Sequence, residues 1–501
     1  MSAGRGSRLS QVLQHTTEIR EFGTDYDHKA GAPKDLSTLS VLGIGDFANA
    51  LLSQHKGVQS ASDNLNTKYL QQLSFAGAQL EGNISVSGSK GETSARLRLL
   101  LEKLDLALRD TLAPGMPPNR GLGSNNILFM ACELLLLGSE SDGLPLLLIE
   151  EPEAHLHPQR QLRLIQFLQT KVREARADGQ KIQVILTTHS PNLASAIELD
   201  NLLLLQGRKA FSLAAGRTEL SKSDYGFLAR FLDVTKANLF FARGVLIVEG
   251  DAENILLPTL ARLLGRDLTE SGVSIVNVGG VGLRRFARIF QRKNADVDGE
   301  ISIPVACVTD FDVMPDCAPE IIGKVKPGEA WPKGRRWRAK KDFPGDALEK
   351  RRLEIQAKAS GQRVETFVAD EWTLEYDLAL AGFSQEVWLA AHFAKADENI
   401  HAGKTTIVAV TKAALRSFKE LEAKTTSQEE MCSHIYGMFA DGSSVSKTVS
   451  AQYLAWILDR SVGKGRLDAK ALNSLLPTYL VKAIEHVTYK PDAASTAGAS
   501  D

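Results

Sequence analysis

Four acidic residues, placed in two pairs, could hold a divalent cation. Glu249 and Glu253 are four residues apart where a helix is expected to begin, so both carboxylates can face one side of that helix. Asp310 and Asp312 follow an apolar run, and residues two apart in an extended segment point the same way. Carboxylate oxygens are hard donors that suit Mg²⁺ or Mn²⁺ rather than zinc. The pairs therefore predict a cation site, although acids after strands also serve as helix caps and turn residues.

Two short apolar runs must position these acids. Residues 244–248 and 303–309 are rich in β-branched side chains, as expected for buried strands, and residues 276–280 (VNVGG) supply a strand and a tight turn between them along the chain. The order of strand, Glu-Gly and helix, followed later by strand and Asp-x-Asp, resembles the Toprim domain of topoisomerases, primases and certain nucleases.

A second group of residues suits the phosphates of a nucleotide. Glu150 and Glu151 follow an apolar run; the first acid of such a pair can hold the Mg²⁺ of a nucleotide, and the second can orient an attacking water. His189 follows another apolar run, residues 182–186. The alternatives are an acid pair that caps a helix and a histidine that merely ends a strand.

A glycine-rich turn upstream opens a helix, and the free backbone N–H groups of such a turn suit a phosphate, although any helix can begin in this way. The residues concerned are Gly121, Gly123, Ser124 and Asn125.

Together these motifs resemble the C-terminal half of an ABC-type ATPase head, as found in SMC, RecF and OLD (overcoming lysogenisation defect) proteins. The resemblance implies that residues 121–125 match the signature loop, Glu150 and Glu151 the Walker B acids, and His189 the switch histidine. An ABC-type head followed directly by a Toprim domain is the arrangement of the OLD nucleases, and the likeness covers most of the chain from about residue 115 onward.

The sequence contains no G-x-x-x-x-G-K-[ST] motif. GSKGET at residues 88–93 has the wrong spacing, and GKTT at residues 403–406 lacks the upstream glycine. In the family the phosphate-binding loop would precede residue 1, so we expect this chain to lack the N-terminal lobe that grips the nucleotide. ATP remains a candidate cofactor, although the sequence lacks the phosphate-binding loop.

A basic stretch follows the second acid pair. Residues 324–363 carry thirteen Lys/Arg and five Asp/Glu, in a chain whose formal net charge is −1. A local positive excess beside an acidic metal site suits a phosphate backbone, and Trp331 and Trp337 are interleaved with the charges. The alternative is a solvated loop. The candidates for DNA contact are Lys333, Arg335, Arg336, Arg338, Lys340 and Lys341.

The resemblance to OLD nucleases implies two further site residues. Glu375 lies in Thr-Leu-Glu, a motif that supplies a ligand for a second metal in the family, with Glu371 and Asp377 as alternatives. Lys464, between two glycines near the C-terminus, resembles the catalytic lysine of the family.

The function implied is that of a metal-dependent DNA endonuclease, which nicks and cleaves phosphodiesters by a two-metal mechanism and is coupled to an ABC-type ATPase module. Its cofactors would be two Mg²⁺ or Mn²⁺ ions per active site. The catalytic residues would be Glu249, Lys464 and Glu151, and the metal ligands Glu249, Glu253, Asp310, Asp312 and Glu375.

The same residues leave other functions open. The alternative of a different class is a nucleotide-dependent DNA-binding clamp of SMC or RecF type with an inactive Toprim domain. A topoisomerase would need a tyrosine nucleophile in a strand-passage domain, and a primase would need a zinc module; the sequence indicates neither.

Composition favours a multidomain globular protein. The 501 residues are 43% hydrophobic and 24% charged, and the length predicts two to four domains. Four cysteines form no C-x-x-C pair, which argues against a zinc site or a disulfide framework and favours the reducing cytoplasm. No apolar run is long enough to span a membrane. The expected partners are DNA and, because ABC-type heads pair, a second copy of the chain.

The predicted fold class is α/β: a partial ABC-type ATPase domain followed by a Rossmann-like Toprim domain with an appended helical region. The expected divisions are a poorly ordered segment (1–40), the ATPase domain (41–240), the Toprim domain (244–383), the helical region (384–490) and a disordered tail (491–501).

Overall fold

The computed structural model shows two compact units, Met1–Leu193 and Ala194–Asp501. The α/β class predicted from the sequence is confirmed, because helices surround short, mostly parallel sheets. None of the described helices is both long and apolar enough to cross a membrane. The structure describes residues 8–29, 31–33, 35–67, 84, 92–102, 122–139, 143–176, 178–280, 282–440 and 442–488, so the tail expected at 491–501 lies outside the described residues.

The first unit is mainly helical. Its strands, β1 (Leu146–Glu150) and β2 (Gln183–Thr187), pair in parallel with Glu150 opposite Thr187. Part of the segment for which little order was expected, residues 8–21, forms two helices. The helices are α1 (Arg8–His15), α2 (Thr17–Glu21), α3 (Val41–Gln54), α4 (Lys56–Leu65), α5 (Thr93–Leu101), α6 (Leu122–Ser139), α7 (Pro158–Arg173) and α8 (Pro191–Ala196), the last of which runs into the second unit.

The described residues of the second unit form three sheets. Its strands are β3 (Leu203–Gln206), β4 (Lys209–Ser212), β5 (Gly244–Val248), β6 (Val273–Asn277), β7 (Val305–Thr309), β8 (Val313–Met314), β9 (Arg338–Ala339) and β10 (Val364–Val368). The main sheet has the order β10-β7-β5-β6, and all of its neighbouring strands are parallel. Strands β3 and β4 form an antiparallel pair, and β8 and β9 form a parallel pair.

The helices of the second unit surround the main sheet and then form the helical region. They are α9 (Lys222–Phe231), α10 (Asp251–Leu263), α11 (Leu283–Arg288), α12 (Ala295–Asp298), α13 (Ala318–Ile321), α14 (Ala347–Ala357), α15 (Leu374–Leu378), α16 (Ser384–His401), α17 (Ile407–Lys424), α18 (Gln428–Gly437), α19 (Lys447–Gly463), α20 (Ala469–Leu475) and α21 (Thr478–Val487). Short 3₁₀ segments occur at Leu36–Thr38, Leu199–Asn201, Lys236–Phe241 and Lys340–Asp342, and a π-type turn at Ala379–Phe383 joins α15 to α16.

Strand β5 lies inside the sheet, and all five of its side chains are buried. Successive side chains of a strand point to opposite faces, so Leu246 and Val248 enter one hydrophobic core while Val245 and Ile247 enter another. A parallel sheet covered on both faces requires continuous apolar strands rather than alternating ones. This requirement explains the uninterrupted apolar run that the sequence shows.

The segment between Ala194 and β5 packs with the main sheet. The sequence predicts that this segment belongs to the ATPase domain. In the structure its residues Phe211 and Leu239 share a buried core with Ile247 of β5. Asp224 in α9 also pairs with Arg285 in α11 at 3.0 Å. The second unit therefore begins about fifty residues earlier in the chain than β5 does.

The helical region packs directly on the sheet layer. Helix α19 contacts both α10 and α16, and α21 contacts β5, β7 and β10. Leu480, Ala483 and Ile484 of α21 are completely buried in the same core as Leu246. This packing carries the first turn of α19 to the carboxyl ends of the strands.

Candidate functional site

The carboxyl ends of three parallel strands meet at one edge of the main sheet. Val248 of β5 is level with Val308 of β7, and Thr309 of β7 is level with Val368 of β10. Glu249 and Asp310 follow directly, so the two predicted acid pairs begin on neighbouring strands of one edge. Open α/β sheets commonly bind ligands at this edge.

Glu249 is held at the end of β5 by both neighbouring strands. The Thr309 hydroxyl donates to its Oε1 at 2.5 Å, and the Gly280 N–H donates to its backbone carbonyl at 2.7 Å. Burial raises the pKa of the Glu249 carboxyl; the Thr309 hydrogen bond opposes this, and the negative charges of Asp312 and Glu253 reinforce it.

Glu253 lies in the first turn of α10, above Gly250. Burial raises its pKa, and the negative charge of Glu375 acts in the same direction. A Cβ at position 250 would lie 3.2 Å from Oε2 of Glu253, which is tighter than most carbon contacts. Glycine at this position therefore leaves room for the Glu253 carboxylate beside Glu249.

Asp310 and Asp312 differ in environment. The Leu374 N–H donates to Oδ1 of Asp310 at 3.2 Å. Burial raises the pKa of Asp310 well above its usual value, and the charge of Glu375 raises it further. Asp312 is exposed and has a left-handed backbone with φ of 59°, which is uncommon for a residue with a side chain.

Arg352 of α14 connects the loop that carries Asp310 and Asp312 to the loop that follows β10. Its guanidinium lies 4.4 Å from the ring of Phe311, the residue between Asp310 and Asp312. The same group donates to three carbonyls at the end of β10 and just after it, those of Val368 at 3.3 Å, Ala369 at 2.8 Å and Asp370 at 2.5 Å.

Glu375 is buried at the start of α15 and pairs with a lysine that sequence reasoning missed. Nζ of Lys447 donates to its Oε2 at 3.0 Å. Burial lowers the pKa of the Lys447 amino group, but the charge and hydrogen bond of Glu375, together with the charges of Tyr436 and Asp310, outweigh burial and raise it. Lys447 is the first residue of α19, where a cation is unfavourable because the helix dipole is positive there. That anomaly is the signal that could have identified it.

The two alternatives to Glu375 have other partners. Oδ1 and Oδ2 of Asp377 accept from the N–H groups of Trp372 at 2.9 Å and Glu371 at 3.0 Å, so this side chain shapes the loop before α15. The Glu371 carboxylate lies 2.7 Å from Nζ of Lys340.

Lys464 is not brought to the acidic edge. It is exposed and follows the last residue of α19, whereas Lys447 begins that helix. At 1.5 Å per residue the helix separates the two lysines by about 25 Å.

The basic stretch contributes a segment, residues 331–342, that we call the basic segment. Its strand β9 pairs with β8, which starts directly after Asp312. Two of the six predicted DNA contacts are engaged in ion pairs, Arg335 with Asp342 and Lys340 with Glu371 and Glu429. The other four, Lys333, Arg336, Arg338 and Lys341, are exposed.

The donor chemistry of the acidic edge fits a hard divalent cation. The carboxylates of Glu249, Glu253 and Asp310 are partly withdrawn from water and repel one another, so a bound cation would relieve both costs. Among the described residues no three acidic, histidine or cysteine side chains are gathered tightly enough to enclose a metal ion. The acidic edge therefore concentrates negative charge, but its carboxylates are not arranged as a complete set of metal ligands.

The first unit contains a separate pair of candidate residues. Nε2 of His189 lies 3.5 Å from Oε1 of Glu151, and both side chains are largely exposed. Glu151 has a left-handed backbone with φ of 42°, directly after Glu150 ends β1. Parallel pairing of β1 with β2 thus joins the predicted Walker B acids to the predicted switch histidine.

Glu153 supports this pair and was not predicted. Its Oε1 accepts from the Thr188 hydroxyl at 2.8 Å and from the His189 N–H at 2.7 Å. The predicted signature loop cannot be compared in the same way, because Gly121 and the side chains of Ser124 and Asn125 lie outside the described residues; Gly123 is within α6.

Comparisons with known proteins bear on both units. Residues 240–312 match the family model of the overcoming lysogenization defect protein-like TOPRIM domain, and residues 81–194 match the model of an AAA ATPase domain. The predicted family resemblance is confirmed: the chain joins an AAA ATPase domain to an OLD-like TOPRIM domain.

Two curated relatives share short stretches with the chain. It is 26% identical over 167 residues to the uncharacterized protein YbjD of Escherichia coli, covering 32% of this chain and 29% of that protein. It is 26% identical over 227 residues to the OLD nuclease of Thermus scotoductus, covering 44% of this chain and 39% of that protein. The chain thus spans less than half the length of either relative.

Solved structures of OLD proteins also match in part. The C-terminal region of the Xanthomonas campestris pv. campestris OLD protein is 18% identical with a TM-score of 0.26, covering 50% of this chain and 94% of that one. The C-terminal region of the Burkholderia pseudomallei OLD protein is 21% identical with a TM-score of 0.27, covering 50% and 98%.

Proposed function

Since residues 240–312 form an OLD-like TOPRIM domain, we propose that the chain is a metal-dependent DNA endonuclease coupled to its ATPase domain. The observation that carries this proposal is the convergence of Glu249, Glu253, Asp310 and Glu375 with Lys447 at one sheet edge. The electrostatic influence of these groups on one another supports a common site.

Bound divalent cations would supply an activated water and charge stabilisation at the scissile phosphate. Glu249, Glu253, Asp310 and Asp312 would hold one cation, and Glu375 would contribute to a second. Mg²⁺ or Mn²⁺ suits this all-oxygen donor set.

We assign the role of the catalytic lysine to Lys447 rather than to Lys464. The amino group of Lys447 stays protonated beside Glu375 and can donate hydrogen bonds to a phosphate oxygen. The exposed cations of the basic segment, Lys333, Arg336, Arg338 and Lys341, would contact the DNA backbone beside Asp312.

In the first unit, we assign Glu150 and Glu151 to the Mg²⁺ and the attacking water of a nucleotide, and His189 to the contact that senses its terminal phosphate. The short distance between Glu151 and His189 supports this assignment.

The test is cleavage of supercoiled plasmid with Mg²⁺, Mn²⁺ or Ca²⁺, with and without ATP. Nicked and linear products that disappear in the Glu249→Gln variant are expected. Retardation of DNA without products in every metal would instead favour the clamp function, and closed circles of altered linking number would indicate a topoisomerase.

A further inference from the structure

Two tryptophans of the basic segment meet edge to face, and an arginine lies over both rings. The ring centroids of Trp331 and Trp337 are 4.9 Å apart, at an angle of 67°. The guanidinium of Arg335 lies 4.9 Å from the first ring and 4.5 Å from the second. Lys341 also lies over the ring of Trp331. We call these three residues, Trp331, Arg335 and Trp337, the aromatic cluster.

The aromatic cluster lies outside the main hydrophobic cores formed by the described residues. Neither tryptophan takes part in the two cores that cover the main sheet or in the core between α16 and α17. Both rings are half-buried and lie among exposed cations. Because large aromatic rings placed outside a core expose apolar surface to water, their position suggests a ligand.

The aromatic cluster is fixed in place rather than carried on a free loop. Asp342 pairs with the guanidinium of Arg335 and accepts the N–H of Ala339 at 2.9 Å. The N–H of Lys341 donates to Asp316 at 2.8 Å. These contacts hold the rings in a defined orientation, so little ordering would be required when a ligand binds.

The aromatic cluster also lies next to the acidic edge. Arg338 is level with Val313 in the pairing of β9 with β8, so Trp337 and Asp312 each occupy the position just before the paired residues. Neighbouring strands are about 4.8 Å apart. A nucleotide whose phosphate lies at the acidic edge therefore has the aromatic cluster within reach of its base.

We propose that the aromatic cluster is a stacking site for an unpaired nucleobase beside the scissile phosphate. A base inside a duplex has both faces covered by its neighbours, whereas an unpaired base can stack on tryptophan rings and guanidinium planes. The preferred substrate is then DNA that contains unpaired nucleotides, such as a single strand, a flap or an overhang. This inference rests on the proposed function.

Trp456 provides a matched control. It is a half-exposed tryptophan on α19, and the guanidinium of Arg460 lies 5.3 Å from its ring. It therefore has the same tryptophan–arginine contact as the aromatic cluster but lies outside the basic segment. Trp456→Ala removes an equal ring and leaves the aromatic cluster intact.

The experiment measures binding of an oligothymidylate and of a blunt duplex to the full chain in EDTA, where no metal is present to support cleavage. Fluorescence anisotropy gives the affinities of wild type, Trp337→Ala, Trp337→Phe and Trp456→Ala. Since loss of a ring on which a base stacks weakens binding of a single strand, Trp337→Ala should bind oligothymidylate about tenfold more weakly. Its affinity for the duplex should stay within about twofold of wild type, and Trp337→Phe and Trp456→Ala should retain binding of the single strand.

Two results would overturn the stacking site: equal loss of affinity for both DNAs in Trp337→Ala, or no loss for either. If Trp337→Ala does not fold, the test is quenching of tryptophan fluorescence by oligothymidylate. Quenching should be smaller in Trp337→Phe than in wild type. Equal quenching in the two proteins would contradict the proposal. Binding in EDTA is independent of hydrolysis. If the protein binds unpaired bases in this way but cleaves no DNA, the proposed nuclease activity is contradicted and the stacking site is not.

Discussion

The amino group of Lys447 lies 3.0 Å from a carboxylate oxygen of Glu375, although 72 residues separate them in the sequence. Glu375 belongs to the loop and short helix after the last strand of the sheet, and Lys447 begins a helix of the appended region. The ion pair therefore joins the sheet edge to the helical region. It also places a positive charge among partly buried acids.

Replacing Lys447 should reduce cleavage of plasmid far more than replacing Lys464. Loss of a preorganised donor to a phosphate oxygen costs about a hundredfold or more in rate, so Lys447→Ala should fall by at least that factor. Lys464→Ala should stay within about twofold, because its position is about 25 Å away along α19. Initial rates of nicking in Mn²⁺ measure both. The opposite ranking would return the catalytic role to Lys464.

Neutralising Asp310 should stabilise the protein without metal and abolish its response to metal. Asp310→Asn removes a charge that is withdrawn from water and repelled by Glu375, while Oδ1 can still accept the N–H of Leu374. The melting temperature in EDTA should rise. The increase on adding Mn²⁺, expected for wild type from preferential binding to the folded state, should be lost. A variant that still gains the full Mn²⁺ stabilisation would show that Asp310 is not a ligand.

Substitution of Arg352 should loosen the acidic edge. Arg352→Ala removes three hydrogen bonds to carbonyls at the end of β10 and just after it, and we expect the free energy of unfolding to fall by about 2 kcal/mol. Because Phe311 and the loop before Glu375 lose a common support, the Mn²⁺ concentration that gives half-maximal cleavage should rise. Lys350→Ala on the same helix removes only an exposed pair with Asp346 and serves as the control. Equal Mn²⁺ dependence in the two variants would argue against this positioning role.

Asp224 should contribute stability that is lost in acid. Burial alone would raise its pKa, but hydrogen bonds from Ser221 and the charge of Arg285 prevail, and the pKa is lowered. A carboxyl with a lowered folded pKa stabilises the folded state above its unfolded pKa of about 3.9, and this contribution disappears as the pH falls through the folded value.

Asp224→Ala should therefore cost about 1–3 kcal/mol at pH 7, because it leaves the partly buried guanidinium of Arg285 and the helix cap at Ser221 without their partner. Urea unfolding at pH 7 and pH 3 measures this, and the difference between wild type and variant should shrink at the lower pH. A difference that does not depend on pH would assign the effect to packing.

The strands that carry the acids could be predicted from sequence because their causes are local. The apolar run over 244–248 coincides with β5, since a strand buried on both faces requires continuous apolar residues. The acids follow directly, so their meeting at one edge needs only parallel pairing of the strands. The expected α/β class is confirmed for the same reason.

Long-range packing sets the rest of the site and leaves little trace in local sequence. Lys447 reaches the acids because α19 packs on α10, and no spacing of residues encodes that contact. Lys340 counts as a free charge in the sequence, yet its partners Glu371 and Glu429 come from distant segments. Counting charges along the chain cannot distinguish a cation available to DNA from one already paired.

The arrangement of the second unit also has a consequence for the chain as it is synthesised. Residues 249 to 375, which bring the acids, leave the ribosome before Lys447, and α21, which covers the sheet, comes later still. A nascent chain therefore carries the acids before their lysine partner and before the sheet is covered. A product truncated before residue 447 would keep the acids without the lysine that pairs with Glu375. The acidic edge is therefore assembled only after translation has passed this residue.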